Sequence, residues 1–256
     1  HCYPLTGSEA LEPLYLLTGQ VVGFGELAVY MFFAISGYLV TKSWQNDPNF
    51  MRFMARRCLR IFPALILVIF ISFALLGPTV STLDVSDYFS RREAWTYLTK
   101  ILIYPAQYGL PGVFGTNPYA DIVNGSLWTL RLEFALYLVI ATAGSLGFMH
   151  ATSLYIFVVG SFIVALALTN GSFLSDIPFA HQGIAFALNA IPFFLGASLA
   201  QTSIGLKQII KSGCVLSVAV LPLAFFDAKL YVILLIPFVT IFLASSISCG
   251  VSRIGD

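Results

Sequence analysis

Residues 61–83 read IFPALILVIFISFALLGPTVSTL, a stretch that contains no Asp, Glu, Lys or Arg. A run of this length predicts a transmembrane helix, because about 20 apolar residues cross the hydrocarbon core of a bilayer. The whole chain shares this character, since 58% of its 256 residues are hydrophobic and only 10% are charged. Soluble domains carry about 25% charged residues. The composition therefore predicts an all-α, polytopic transmembrane helix bundle.

Further uncharged segments are typical of additional spans. They are Leu27–Thr41, two segments of Phe134–Ser175 separated by a break at Gly144–Ser153, Gly183–Gln201, Ser212–Phe226 and Leu230–Ser252. We expect about seven complete spans in a single membrane domain that covers residues 1–256. Because the chain starts without Met and stops directly after an apolar run, we also expect it to be an internal fragment that lacks both ends.

The distribution of Lys and Arg predicts the orientation. One side of the predicted bundle receives eight of the 13 basic residues, five of them in the Lys42–Arg60 loop. Short cytoplasmic loops are enriched in Lys and Arg, so we expect the segment Arg52–Arg60 to be cytoplasmic in a plasma membrane. Residues 84–125 then form an extracytoplasmic loop, in which Thr96–Tyr104 is expected to be a short helix or re-entrant piece.

Charge and cysteine content exclude several classes of protein. The net charge of +1 gives no reason to expect a nucleic-acid partner. The cysteines show neither metal-ligand spacing nor a disulfide framework, and we predict no metal site. They are Cys2, Cys58, Cys214 and Cys249.

An arginine cluster precedes the span at residue 61. On a helix, Arg57 and Arg60 share a face, as do Arg56 and Arg60. One interpretation is a cytoplasmic topology anchor. The other is a site for a polyanion, because each guanidinium is a planar fork of donors that suits phosphate.

The stretch SLWTLRLEFALYLVI, residues 126–140, places Arg131 and Glu133 near the start of another span. A carboxylate inside a bilayer is costly unless it is paired or faces a polar cavity, which makes Glu133 a functional candidate. Positions two apart do not face each other on a helix, so Glu133 needs a partner from another helix or a raised pKa. The local alternative is an interfacial position, with Arg131 extending to the membrane surface.

Taken together, these segments resemble the acyltransferase-3 family of integral membrane acyltransferases, which modify surface polysaccharides and related glycans. The family's first helix ends in Arg-x10-His, and His1 looks like that histidine. ELAVYMFFAISGYLV resembles the next family span, with Ser36 and Gly37 in its centre, although Ala28 replaces the usual Gly. By itself, this pair of small residues favours a close helix contact.

Two more family motifs follow in order. FxxxRxxRIxP is matched from Phe53 to Pro63, and SLWxLxxExxxY is matched from Ser126 to Tyr137, including Trp128 and Glu133. The resemblance implies a protein of roughly ten spans, of which this chain would be part.

The resemblance implies an O-acyltransferase that moves an acyl group, often acetyl, from acyl-CoA to a carbohydrate hydroxyl. Acyl-CoA (acetyl-CoA) is then a co-substrate, with no permanently bound cofactor. Arg56, Arg57 and Arg60 would hold the CoA phosphates. His1 would be the general base, and Glu133 would orient it or place the acceptor. The alternatives are a transporter or flippase for a lipid-linked or sugar substrate, and a membrane scaffold without catalysis.

Overall fold

The computed structural model describes residues 6–102, 109–118, 120–170, 180–201 and 227–252, with residues 213, 215, 217 and 221. All regular secondary structure in these residues is helical, which confirms the all-α prediction. The α-helices are α1 (Pro13–Leu17), α2 (Phe24–Asn46), α3 (Phe50–Ile71), α4 (Gly77–Val80), α5 (Val85–Ser90), α6 (Arg92–Thr96), α7 (Trp128–Ser145), α8 (Ala151–Asn170), α9 (Ala180–Gln201) and α10 (Ala228–Ser252). Short 3-10 helices form at Glu9–Leu11, Tyr97–Leu102 and Gly125–Leu127.

The described helices form a membrane bundle. Four segments of the described chain are long and apolar enough to cross a bilayer: Phe24–Asn46, Phe50–Val80, Gly125–Ser145 and Gly183–Gln201. Ala151–Ala167 and Ala228–Ala244 are shorter apolar helices at two more predicted spans. The remaining prediction, Ser212–Phe226, lies almost wholly outside the described residues.

The chain groups into two compact units. The first unit contains His1–Leu16 and Met51–Leu138, and the second contains Leu17–Phe50 and Val139–Asp256. The assignment of residues 1–256 to a single domain stays a prediction.

In the second unit, α9 packs against α2, α8 and α10. Gly37 of α2 lies so close to α9 that a Cβ there would collide with the carbonyl oxygen of Phe193. The approach is equally close from the other helix, because a Cβ on Gly196 of α9 would collide with the carbonyl oxygen of Ala34. The close helix contact predicted from Ser36 and Gly37 is therefore present at Gly37.

Polar pairs at the ends of these helices show that α2, α9 and α10 run in the same direction. The Nε2 of Gln45, near the end of α2, donates to the Oε1 of Gln201 at the end of α9 (2.8 Å). At the opposite end, Lys229 of α10 pairs with Glu26 of α2 (2.6 Å).

In the first unit, α3 ends in a π-helical turn at Ser72–Leu76, where the N–H of Gly77 donates to the carbonyl of Ser72, five residues earlier. Pro78 has no N–H to continue the ordinary ladder beyond this turn. The hydroxyl of Tyr88 donates to the carbonyl of Phe73 (3.0 Å) and so satisfies a backbone acceptor of the turn.

The segment after α4 is largely helical but contains no long helix among its described residues. Helices α5 and α6 are followed by the 3-10 helix Tyr97–Leu102. The predicted short helix at Thr96–Tyr104 is therefore present up to Leu102, and residues 103 and 104 lie outside the described residues. The predicted break between the two spans of Phe134–Ser175 is also present, since α7 ends at Ser145 and α8 begins at Ala151.

Candidate active site

One charged residue lies in the apolar stripe of α3. Phe53, Arg57, Ile61, Leu65 and Ile69 are the buried residues of this helix, and their spacing of four places them on one face. The side chain of Arg57 is only 9% exposed. A guanidinium in this position is costly unless other groups compensate for the lost hydration.

Two aromatic rings supply part of that compensation. The guanidinium carbon of Arg57 lies 5.3 Å from the ring centroid of Phe53 and 5.5 Å from that of Tyr137. Both rings are fully buried. Cations are attracted to the negative faces of aromatic rings, and the attraction strengthens when water is excluded. The two rings therefore fix the position of the Arg57 head group.

Glu133 is the anionic part of the same cluster. It is buried, and the hydroxyl of Tyr137 donates a hydrogen bond to its Oε1. The two residues are one helical turn apart on α7, so the helix itself aligns them. The positive charges of Arg60 and Arg57 act on the Glu133 carboxylate. The hydrogen-bond partner of Glu133 therefore lies on its own helix, and α3 contributes positive charge.

The three arginines occupy different environments. Arg56 and Arg60 are exposed, whereas Arg57 is buried between the rings. The sequence placed all three together as phosphate ligands, but only two present their guanidinium groups to the surroundings. Arg131 is half-buried near the start of α7.

Of the other predicted site residues, Ser36, Gly37 and Trp128 lie within the described part of the chain. Ser36 is buried and Gly37 packs on α9, both within the second unit. Trp128 is half-buried at the first position of α7. His1 lies outside the described residues.

A polar network in the first unit was not anticipated from sequence. The Nδ2 of Asn124 donates to the Oγ of Ser72 (2.6 Å) and to the hydroxyl of Tyr97 (3.1 Å). Burial raises the pKa of Tyr97, and hydrogen bonds from Asn124 and Ser72 oppose that rise. Asn124 has a left-handed backbone (φ 57°) ahead of the Gly125–Leu127 turn that leads into α7. The Asn-Gly dipeptide was the available signal, because Asn tolerates this conformation.

Among the described residues, no group of three or more His, Cys, Asp or Glu side chains is arranged to hold a metal ion. The Arg57–Glu133–Tyr137 cluster itself offers guanidinium, carboxylate and phenol groups. These groups can bind anions, orient a neighbouring base and position a hydroxyl.

A known protein family matches nearly the whole chain. The acyltransferase-3 family, described as an acyltransferase domain, matches residues 2–254. The chain belongs to this family. The acyltransferase-3 match includes both helices of the Arg57–Glu133–Tyr137 cluster, so the sequence resemblance is confirmed.

Two curated relatives extend this comparison. The "O-acetyl transferase" of Shigella phage Sf6 is 31% identical over 201 residues, which are 73% of this chain and 56% of that protein. "Nodulation protein 10" of Rhizobium leguminosarum bv. viciae is 32% identical over 145 residues, 53% of this chain and 35% of that protein. The chain thus spans about half or less of the length of these relatives. No solved structure matches it significantly.

Proposed function

We propose that the protein is a membrane-bound O-acyltransferase that moves an acyl group, most simply acetyl, from acyl-CoA to a hydroxyl of an exported carbohydrate. Family membership and the O-acetyl transferase relative support the reaction class. The observation that carries the proposal is the buried Arg57–Glu133–Tyr137 cluster. Buried ionisable groups inside a membrane bundle mark functional sites by default, because their desolvation is costly.

The donor side of the reaction is assigned to the start of α3. The exposed guanidinium groups of Arg56 and Arg60 would bind the phosphates of CoA through charge-assisted hydrogen bonds. Arg57 would meet the donor from inside the bundle, because its head group is held between two rings. This end of α3 would face the cytoplasm of a cell with its acyl-CoA pool.

The transfer itself requires a proton acceptor. The acceptor hydroxyl oxygen attacks the thioester carbonyl carbon, and its proton passes to the imidazole of His1. The carbon–sulfur bond breaks, and CoA leaves as a thiol after it takes up that proton. A neutral imidazole suits this role because its ordinary pKa lies close to working pH. Glu133, fixed by Tyr137, would orient the imidazole or the acceptor hydroxyl.

The test uses the full-length protein in membranes, with free CoA release from acetyl-CoA and acetylation of added glycans as readouts. We expect His1→Ala and Glu133→Gln each to lower turnover by at least about 100-fold, the usual cost of losing acid–base assistance. Arg60→Lys should raise the KM for acetyl-CoA, since Lys cannot bind phosphate bidentately. Arg52→Lys, an exposed change on the same helix, is the matched control.

Two outcomes would contradict the proposal in different ways. Unchanged turnover in both His1→Ala and Glu133→Gln would reject the roles assigned to these two residues. It would still support the acyl-transfer reaction. Absence of turnover by the folded wild-type protein with any short acyl-CoA would overturn the reaction and favour transport.

A further inference from the structure

Two side-chain contacts define how α7 lies along α3 in the first unit. The Arg57 guanidinium carbon lies 5.5 Å from the centroid of the Tyr137 ring. The rings of Phe62 and Phe134 meet edge to face, with 6.0 Å between their centroids. From the first contact to the second, residue numbers rise on α3 and fall on α7, so the two helices are antiparallel. Glu133, which directly precedes Phe134, therefore lies at the level of Phe62 on α3.

A polar contact continues this interface at its other end. Ser72 begins the π-helical turn that ends α3, and Asn124 directly precedes the 3-10 turn that leads into α7. The Nδ2 of Asn124 donates to the Oγ of Ser72 (2.6 Å) and to the hydroxyl of Tyr97 (3.1 Å). Compared with the Phe62–Phe134 pair, residue numbers rise on α3 and fall on α7 by equal amounts, from 62 to 72 and from 134 to 124. The polar contact therefore has the same register as the ring contact and lies about 15 Å further along the helices.

Asn124 makes this contact in place of a helix cap. An Asn that precedes a helix usually accepts a hydrogen bond from the N–H groups of that helix, but the Asn124 side chain makes no such bond with the described residues of the following turn. Its backbone is left-handed (φ 57°), a conformation that Asn tolerates. Its amide hydrogens go to Ser72, which is only 4% exposed, and to Tyr97, which is fully buried. Asn124 thus joins the start of α7 to two other segments of the first unit.

A hydrogen bond distinguishes one register of two helices from the next more sharply than a ring contact does. Long side chains can change rotamer and follow a helix that slides, whereas a hydrogen bond weakens steeply as its geometry changes. A slide of one turn, about 5.4 Å, would deprive the buried Ser72 hydroxyl of the Asn124 donor, and an unpaired buried hydroxyl is costly. A single buried Asn fixes the register of coiled coils in the same way. The same slide would move Glu133 relative to the charges of Arg57 and Arg60 that act on it.

We propose that Asn124 is a positioning residue for acyl transfer. Its hydrogen bonds to Ser72 and Tyr97 hold α7 on α3 in the register that places Glu133 at the level of the arginines. Asn124 lies at the opposite end of the interface from Arg57, so it acts through the placement of α7 and not on the reacting groups. Its effect on turnover rests on the proposed function, but the register itself can be measured without any substrate.

The register is tested first, on the full-length protein in lipid nanodiscs with its native cysteines replaced by serine. Nitroxide labels at Val68 of α3 and Leu138 of α7, which are both exposed, report the distance between the helices by pulsed electron paramagnetic resonance. Asn124→Gly deletes the side chain and keeps the left-handed backbone, because Gly adopts it readily. Asn117→Gly is the matched control, since it makes the same change at an exposed position of the preceding loop.

We expect the distance between the labels to shift or broaden by up to one helical turn, about 5.4 Å, in Asn124→Gly. It should stay unchanged in Asn117→Gly. An unchanged distance in Asn124→Gly would overturn the proposal, whatever the activity of that variant.

Turnover is then measured as CoA release from acetyl-CoA, below the melting temperature of every variant. Asn124→Gly should lower kcat at least about tenfold, because a misplacement of about 1 Å can cost about 100-fold. The KM for acetyl-CoA should stay within about twofold, since a positioning residue does not touch the donor. Ser72→Ala combined with Asn124→Gly should lower kcat no further than Asn124→Gly alone, because both changes remove the same bond.

Three results would decide the matter differently. A raised KM with unchanged kcat in Asn124→Gly would overturn the positioning role, as would fully additive losses in the double variant. A shifted label distance in Asn124→Gly, together with no turnover by the wild-type protein, would support the register and reject only the proposed function.

Discussion

Helices α2 and α9 approach each other backbone to backbone, whereas α3 and α7 are joined by long side chains. In the second unit, Gly37 and Gly196 remove the side chains that would separate the helices. In the first unit, the Arg57 guanidinium reaches the Tyr137 ring, and Phe62 meets Phe134 edge to face with 6.0 Å between centroids. Glycine contacts gain stability from close packing. The other contact buries charge at a cost, and this cost is the reason why we propose a functional role for it.

The largest effect is expected from a substitution that removes the buried cation of the first unit. Arg57→Leu removes the contacts of the guanidinium with the Phe53 and Tyr137 rings and one of the two positive charges that act on Glu133. A desolvated cation–ring contact contributes about 2 kcal/mol or more, and we expect a loss of at least that size in the free energy of unfolding. Thermal unfolding of the detergent-purified protein measures this loss of stability. Arg56→Leu, an exposed neighbour, should change stability little. Equal destabilisation by both variants would show that Arg57 is not compensating a buried charge.

The next largest effect concerns the glycine contact of the second unit. Gly37→Ala forces a Cβ into the Phe193 carbonyl, and overpacking of this kind costs about 1–3 kcal/mol. Gly160→Ala in α8 is the matched change, because a Cβ there meets no other atom within 4 Å. It should be neutral or slightly stabilising, since Ala favours helix. A similar melting temperature for both variants would contradict the close approach of α2 and α9.

A third prediction concerns alkaline pH and the π-helical turn. Burial, with a smaller contribution from Tyr97, raises the pKa of Tyr88 to about 12, above the ordinary tyrosine value of about 10. The Tyr88 hydroxyl therefore keeps its proton to a higher pH in the folded state than in the unfolded state. The associated stability is complete below pH 10 and is lost as the pH rises toward about 12. Unfolding measured across this range should be less pH-dependent in Tyr88→Phe, and an unchanged pH profile would reject the assignment.

The smallest expected effect lies at the surface of the second unit. The Lys229–Glu26 pair joins α10 to α2, but the side chains are 36% and 44% exposed. Exposed pairs contribute about 0.2–1 kcal/mol and are screened by salt. Lys229→Ala should therefore lower the melting temperature slightly at low ionic strength and not at about 1 M salt. A large, salt-independent loss would mean that this pair, rather than Gly37, secures α2.

Span positions were predictable because hydrophobicity is read directly from composition. The uncharged runs located α2, α3, α7 and α9, and the Gly147 region correctly separated α7 from α8. The π-helical turn after Ile71 was not predicted, because it depends on Pro78 and on the distant Tyr88 hydroxyl. Apolar periodicity carries no information about such a partner.

The sequence could select candidate site residues by their type but could not give their arrangement. The cost of a carboxylate in a span identified Glu133, and the local FxxxRxxR spacing identified Arg57. Spacing alone could not separate the buried Arg57 from the exposed Arg56 and Arg60, because the packed face of α3 is set by its neighbours. Asn124 was missed since its partners, Ser72 and Tyr97, are distant in sequence.

The sequence by itself determined a helical membrane protein, most of its spans and its family, because each depends on local composition or on motifs of a few residues. Tertiary structure decided which arginine is enclosed by Phe53 and Tyr137, which glycines face each other, and that Asn124 links Ser72 to Tyr97. These features depend on groups that are distant along the chain and meet only when the helices pack.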